Sequence, residues 1–411
     1  MDTEDIDLDG LPMVGDATVV ELADQENVFG QDVDAFIETT LTLSDRLTGG
    51  ATLADLSEED CRAIDSVVVD EDGNKLALEG YNGRYEVMMM SVATEGFKDF
   101  VRNTWERIKK AFRVLLNFIK DSLARIFSNL TLIRKAAYNV QQKANKLKRK
   151  APANGQKISI VSNKYLFANG KYQEKGVQRV HDFLTHMNET IPDAVSGMVS
   201  TLVNNLTSGQ SKDDLKDIAR LTTSVTVAGT KFAPIKVPTS ESPIKRTDVD
   251  VYRTDVIAAN KALFVCVGHV DDNKEAEDQI KAFNKSFDLQ LATVPNMGKP
   301  GRGLEKTIRN ANQISGDMGL VIRAVDSFKK ADDIMGSIRK SLDKAVNQAR
   351  GVADDERLPD DRRRYVRTNL NTLFSCRRLI GSNIVGSYAL CASVLKAHVK
   401  QARKEVNTYG K

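Results

Sequence analysis

Few residues of this 411-residue chain have types and spacings that do chemistry. Of four histidines (His181, His186, His269, His398), the first two are five apart, and no carboxylate cluster joins them. That spacing suits no single helix face, so no metal centre is expected. Asp5-Ile6-Asp7-Leu8-Asp9-Gly10 copies the opening of a calcium loop. The twelfth position is Asp16 instead of glutamate, Pro12 takes the eighth, and no helix can precede residue 5, so an acidic flexible terminus is the better reading. Residues 295–303 (PNMGKPGRG) form a basic glycine loop whose amides could hold a phosphate. They lack the P-loop frame, and a connecting loop is expected. Arg362, Arg363, Arg364 and Arg367 could bind anions, but Asp354, Asp355, Asp360 and Asp361 are ready partners. Cys61, Cys266, Cys376 and Cys391 lie far apart without zinc-type spacing, which points to buried thiols in a reducing compartment. No nucleophile motif, dinucleotide loop or kinase-like set is found, so no catalytic residue and no cofactor is expected and the chain is not read as an enzyme.

The one position where chemistry is expected is a peptide bond. Residues 1–95 hold 24 acidic and 4 basic residues, a net charge of −20; residues 96–411 hold 32 and 55, a net charge of +23. The near-neutral total of +3 conceals this polarity. The charge reverses within Ala93-Thr94-Glu95-Gly96, where irregular acidic sequence gives way to a long helical pattern. The Glu95-Gly96 bond therefore reads as a processing site between an acidic leader and a basic product.

The element that follows the junction is an amphipathic helix. Phe97, Val101, Trp105, Ile108, Phe112, Leu115, Ile119, Leu123, Ile126, Leu130, Ile133 and Ala137 recur at steps of three or four. Residues 96–150 carry 15 basic and 3 acidic residues. Ser128-Asn129 is a candidate break, which would make a helical hairpin instead of one rod. Three readings stay open: a bundle helix with a solvated basic face, a helix lying on a membrane surface, or one whose basic face meets nucleic-acid phosphates. Contact residues on the last two readings are Lys109, Lys110, Arg113, Lys146, Lys148, Arg149 and Lys150. The start of the chain is acidic, without the basic and apolar regions of a secretory signal, and no run of about 18 apolar residues spans a bilayer.

Ala151-Pro152-Ala153-Asn154-Gly155 marks a boundary. Ile158–Val161 predicts a strand and Ala168-Asn169-Gly170-Lys171 a turn; helices are expected through 177–202 and 213–221. Residues 225–237 alternate, and residues 262–268 (ALFVCVG) read as a buried strand. Residues 273–289 read as helix. Two C-terminal stripes, Val321 to Ala349 and Val366 to Val406, suit an antiparallel helical hairpin. In the leader, residues 66–78 read as strand, Asp-Gly turn, strand. The expected fold is mainly α (α+β), with long amphipathic helices, a C-terminal helical hairpin, a small inserted β-sheet and a small acidic N-terminal segment. Its divisions are a leader over 1–95, the basic helix or hairpin over 96–150, a mixed α+β region over 151–305 and the C-terminal hairpin over 306–411.

Ala93-Thr94-Glu95 and the aromatic, basic helix after it resemble the internal head proteins of phiKZ-like giant tailed phages. In that family a prohead protease removes an N-terminal propeptide after a small residue, any residue, and glutamate. Ser57-Glu58-Glu59, Ala77-Leu78-Glu79 and Gly303-Leu304-Glu305 also fit that pattern; the charge reversal singles out Glu95. The resemblance covers residues 90–150. It implies a structural protein of the virion's capsid interior, made in the host cytoplasm. Its implied partners are the prohead protease, packaged DNA bound without sequence preference, and other capsid or inner-body proteins. It also implies passage into the host with the genome, where the 97–137 helix could meet the host membrane. An enzyme of unknown class, with a site in 222–305, is the remaining alternative.

Overall fold

The computed structural model describes residues 97–148, 156–185, 235–244, 249–268, 288–299, 304–330 and 385–409, with a few single positions besides; the side chains of the first helix are described from Asp121 onward. The acidic leader with its calcium-like loop and 66–78 hairpin, the junction Ala93–Gly96, Arg149, Lys150 and the Arg362–Arg367 cluster lie outside the described residues.

Neither glycine nor proline interrupts the sequence from Phe97 to Lys150, so nothing in the backbone stops the first helix. Helix α1, Phe97–Lys146, is continuous over 50 residues, roughly 75 Å at about 1.5 Å per residue. It runs straight through Ser128-Asn129. The Ser128 hydroxyl donates to the Arg125 carbonyl (2.9 Å) and so is satisfied within the helix. Leu123, Ile126, Leu130, Ile133, Ala137, Val140 and Ala144 are buried, as the spacing of three and four requires.

Two later helices cover this stripe. Helix α3, Ala311–Ser327, starts at a capping box in which Asn310 and Gln313 satisfy each other's amides. It buries Ile314, Met318, Val321 and Val325 against α1. Gly319 permits the close approach: a Cβ there would stand 3.1 Å from the Gln141 amide nitrogen. Helix α4, Ser387–Thr408, is buried on nearly every side, the condition of a core helix. α3 and α4 touch one another, but each leans chiefly on α1; most of the two C-terminal stripes expected to form a hairpin lies outside the described residues. Phe328 ties the three together, edge-on to Phe127 (6.4 Å between centroids) and tilted against Tyr388 (5.0 Å).

The β-structure is small and antiparallel. Strands β1 (Lys157–Ser159) and β8 (Glu305–Thr307) pair with Ile158 opposite Lys306. Strands β2 (Phe167–Ala168) and β3 (Lys171–Tyr172) form a hairpin whose turn residues, Asn169 and Gly170, both have positive φ (49° and 72°), the conformation an Asn-Gly pair favours. A second helix, α2, follows over residues 176–185. The inserted sheet has the order β4 (Ile235–Val237), β5 (Val249–Arg253), β6 (Lys261–Gly268), β7 (Asp288–Thr293). Val249 and Val251 of β5 and Ala262, Phe264 and Cys266 of β6 alternate onto one buried face.

One expectation fails here. Asp288 and Leu289, read as a helix end, begin β7 and pair with Cys266 and Val265. Leu289-Gln290-Leu291 alternates, but the run is too short to outweigh the helical spacing before it; pairing with β6 decides the outcome. Strand β5 and the three-residue β8 stand where no strand is expected. Cys266 and Cys391 are buried thiols outside any disulfide, the state expected of them.

Candidate functional site

Helix α4 carries His398, Gln401 and Glu405 at spacings of three and four, which sets them in one line along its face. All three are at most 1% exposed. The line faces β1, β8 and the segment from the Lys164–Leu166 turn to the start of α2. Gln401 accepts from the Val161 amide (2.8 Å). Lys404, beside the line, donates to the Ser159 carbonyl (2.9 Å).

Glu405 is the hub of this seam. Its Oε2 accepts from the Arg309 amide (3.1 Å) and Nε (3.0 Å), and its Oε1 from Arg309 Nη2 (2.9 Å) and Lys306 Nζ (3.0 Å). Four donors on one carboxylate leave little unsatisfied. The remaining Arg309 Nη1 donates to Asp317 of α3. Lys306 also donates to the Tyr172 hydroxyl (3.3 Å) and stands 4.6 Å from that ring's centroid. Two cations face two carboxylates, so the seam is charge-balanced.

Burial acts on every member, and the partners decide which way each moves. Burial alone would raise the Glu405 carboxyl, but the Arg309 hydrogen bonds and charge, with help from Lys306, hold it below its ordinary value. For Asp317 burial outweighs the guanidinium, and the carboxyl is raised. Lys306 is lowered by burial and then by the Arg309 charge, against the pull of Glu405. Burial raises the Tyr172 phenol, which leaves it a hydrogen-bonding group and no nucleophile at neutral pH. These groups are committed to one another, and the arrangement acts as a tie among β3, β8, α3 and α4.

None of these residues except His398 was singled out from the sequence. Their one signal is the i, i+3, i+7 spacing of His398, Gln401 and Glu405 between apolar Leu395, Val399 and Val406. On its own that pattern describes a solvated helix face equally well.

The sequence-predicted contact residues lie elsewhere. Lys146 and Lys148 are exposed at the C-terminal end of α1. Lys109, Lys110 and Arg113 belong to its first half, where side chains are not described. Between Asp121 and Lys148 the exposed positions of α1 include Arg125, Arg134, Lys135, Lys146 and Lys148 against one acid, Asp121. Tyr138, 51% exposed, lies among them. Arg134 meets Asp326 of α3 (3.1 Å).

The helical core, the balanced seam and the basic outer helix describe a mainly α (α+β) structural protein. Residues 2–404 match the family of phiKZ-like phage internal head proteins, and the chain belongs to that family. Its place is the virion interior, as a structural protein of the phage head. Comparisons with curated proteins and with solved structures gave no match. Among the described residues no helix is long and apolar enough to cross a membrane.

Proposed function

We propose that this internal head protein is made as a charge-compensated precursor, is cut by the prohead protease between Glu95 and Gly96, and then lies against packaged DNA through the outer face of α1. The observation that carries this reading is the basic exterior of α1, from Arg125 to Lys148, on a chain whose first 95 residues hold a compensating charge of −20. While the leader is attached, its carboxylates compete with phosphates for that face. Once it is removed, the +23 product gains affinity through counterion release, with little dependence on base sequence.

The apolar stripe of α1 from Leu123 to Ala144 is buried within the helical core. The membrane-surface reading, over 97–137, needs the part of that stripe from Leu123 to Ala137 for lipid, which favours the DNA reading.

The N-terminal residue of the protein taken from purified virions tests the first half of the proposal: Gly96 is expected, and Met1 would refute it. DNA binding tests the second. The virion-derived product should bind duplexes of unrelated sequence alike, and charge-neutral Arg125→Gln, Lys135→Gln and Lys146→Gln together should lower the slope of log K against log salt by about 2.7. An unchanged slope would remove this face from the contact.

A further inference from the structure

His398 is the member of the α4 seam that the ion pairs leave out. It is 1% exposed, and neither Nδ1 nor Nε2 has a hydrogen-bond partner among the described residues. The backbone of Gly176, at the start of α2, is pressed against the ring: a Cβ at that position would stand 2.3 Å from Nε2. Tyr172 of β3 covers another side, its ring 6.2 Å away and tilted by 50°. The imidazole is thus enclosed by the segment that runs from β3 into α2.

We propose that His398 makes the seating of the 165–177 segment on α4 acid-releasable: the segment is docked while the imidazole is neutral, and a proton on the ring lifts it. The neutral ring has one N–H to satisfy and the protonated ring two, and neither nitrogen has an acceptor among the described residues, with the Gly176 backbone close against Nε2. The charged groups around the ring add to the cost. Lys306 and Arg309, from β8 and the residue run after it, are the cations acting on it. The carboxylates near them, Glu405 on α4 itself and Asp317 on α3, are already engaged by those same cations. Glu174, between β3 and α2, acts on Tyr172 and Lys306, and the Tyr172 phenol stays neutral.

Burial first, then the charges of Arg309 and Lys306, push the imidazole down to about 3. The lifted segment exposes an imidazole of ordinary affinity, near 6.5. The lifted state therefore binds the extra proton between these two values. Docking is at full strength above about pH 6.5 and weakens as pH falls, by about tenfold per unit. The segment is the part that yields, because α4 is buried on nearly every side and packs along α1, whereas β2 and β3 are two residues each.

Hydrogen exchange on the full-length chain tests this, read in peptides covering residues 165–177 and corrected for the intrinsic rate at each pH. From pH 6 to pH 5 the opening equilibrium of this segment should rise about tenfold, and in His398→Leu it should stay flat. An equal rise in both proteins, or no rise in the unaltered one, would overturn the proposal. Should His398→Leu not fold, nitrogen-15 spectra of the unaltered protein's histidines decide. A His398 ring that stays neutral at pH 5 in the docked state supports the latch. A ring that titrates near 6.5 while the segment remains protected refutes it.

Discussion

The outer face of α1 and the inner seam of α4 are both rich in charge, and they use it in opposite ways. On α1 the exposed basic side chains between Arg125 and Lys148 stand in water, outnumber the exposed acids there and add a field outside the molecule. On α4 and its neighbours two cations and two carboxylates are enclosed, matched in number and hydrogen-bonded. The lesson is that solvent, more than residue type, sets what a charge does. An exposed lysine contributes little to stability and much to long-range attraction. A buried one must be paired, and losing its partner costs several kcal/mol.

This contrast can be broken by mutation, most sharply at Glu405. Glu405→Leu leaves Arg309 and Lys306 buried beside one carboxylate and should destabilise the fold by about 3–5 kcal/mol in urea unfolding. Much of that loss should return when Arg309→Met is added. A loss under about 1 kcal/mol would place the seam with surface ion pairs. Gly176→Ala is expected to be intermediate, about 1–3 kcal/mol, because a methyl has no space against the His398 ring. Unlike acid release, its effect should be the same at pH 7 and pH 5. The smallest change is expected on α1: Lys135→Gln should alter stability by less than about 0.5 kcal/mol, with its effect confined to the salt dependence of DNA binding.

Much of the architecture was legible in the residue order. The stripe from Leu123 to Ala137 announces α1, and no glycine or proline contradicts it. Asn169-Gly170 announces the β2–β3 turn, and ALFVCVG announces β6. These signals are local, since each concerns the period or the backbone preference of a few adjacent residues. The failures are all long-range. Asp288 and Leu289 follow a helical pattern yet pair with β6, and Glu305–Thr307 is a strand because residues 157–159 lie beside it. Three residues of β8 hold no periodicity to read.

The candidate sites divide along the same line. Basic residues on α1 could be assigned to an outward face from spacing alone, because its apolar stripe fixes where the core must be. Glu405, Arg309, Lys306, Asp317 and Tyr172 come from four separate stretches of the chain, and nothing in any one stretch says they meet.

The order of residues determined by itself the reversal of charge at Glu95, the long amphipathic helix after it and the basic character of that helix. Charge adds up without reference to shape, and helical period is a property of neighbours. Only the tertiary structure decided that α1 is unbroken and packed beneath α3 and α4, and that a line of polar groups on α4 is sealed from water. Burial depends on what other segments bring to a surface, and that is settled when the chain closes on itself.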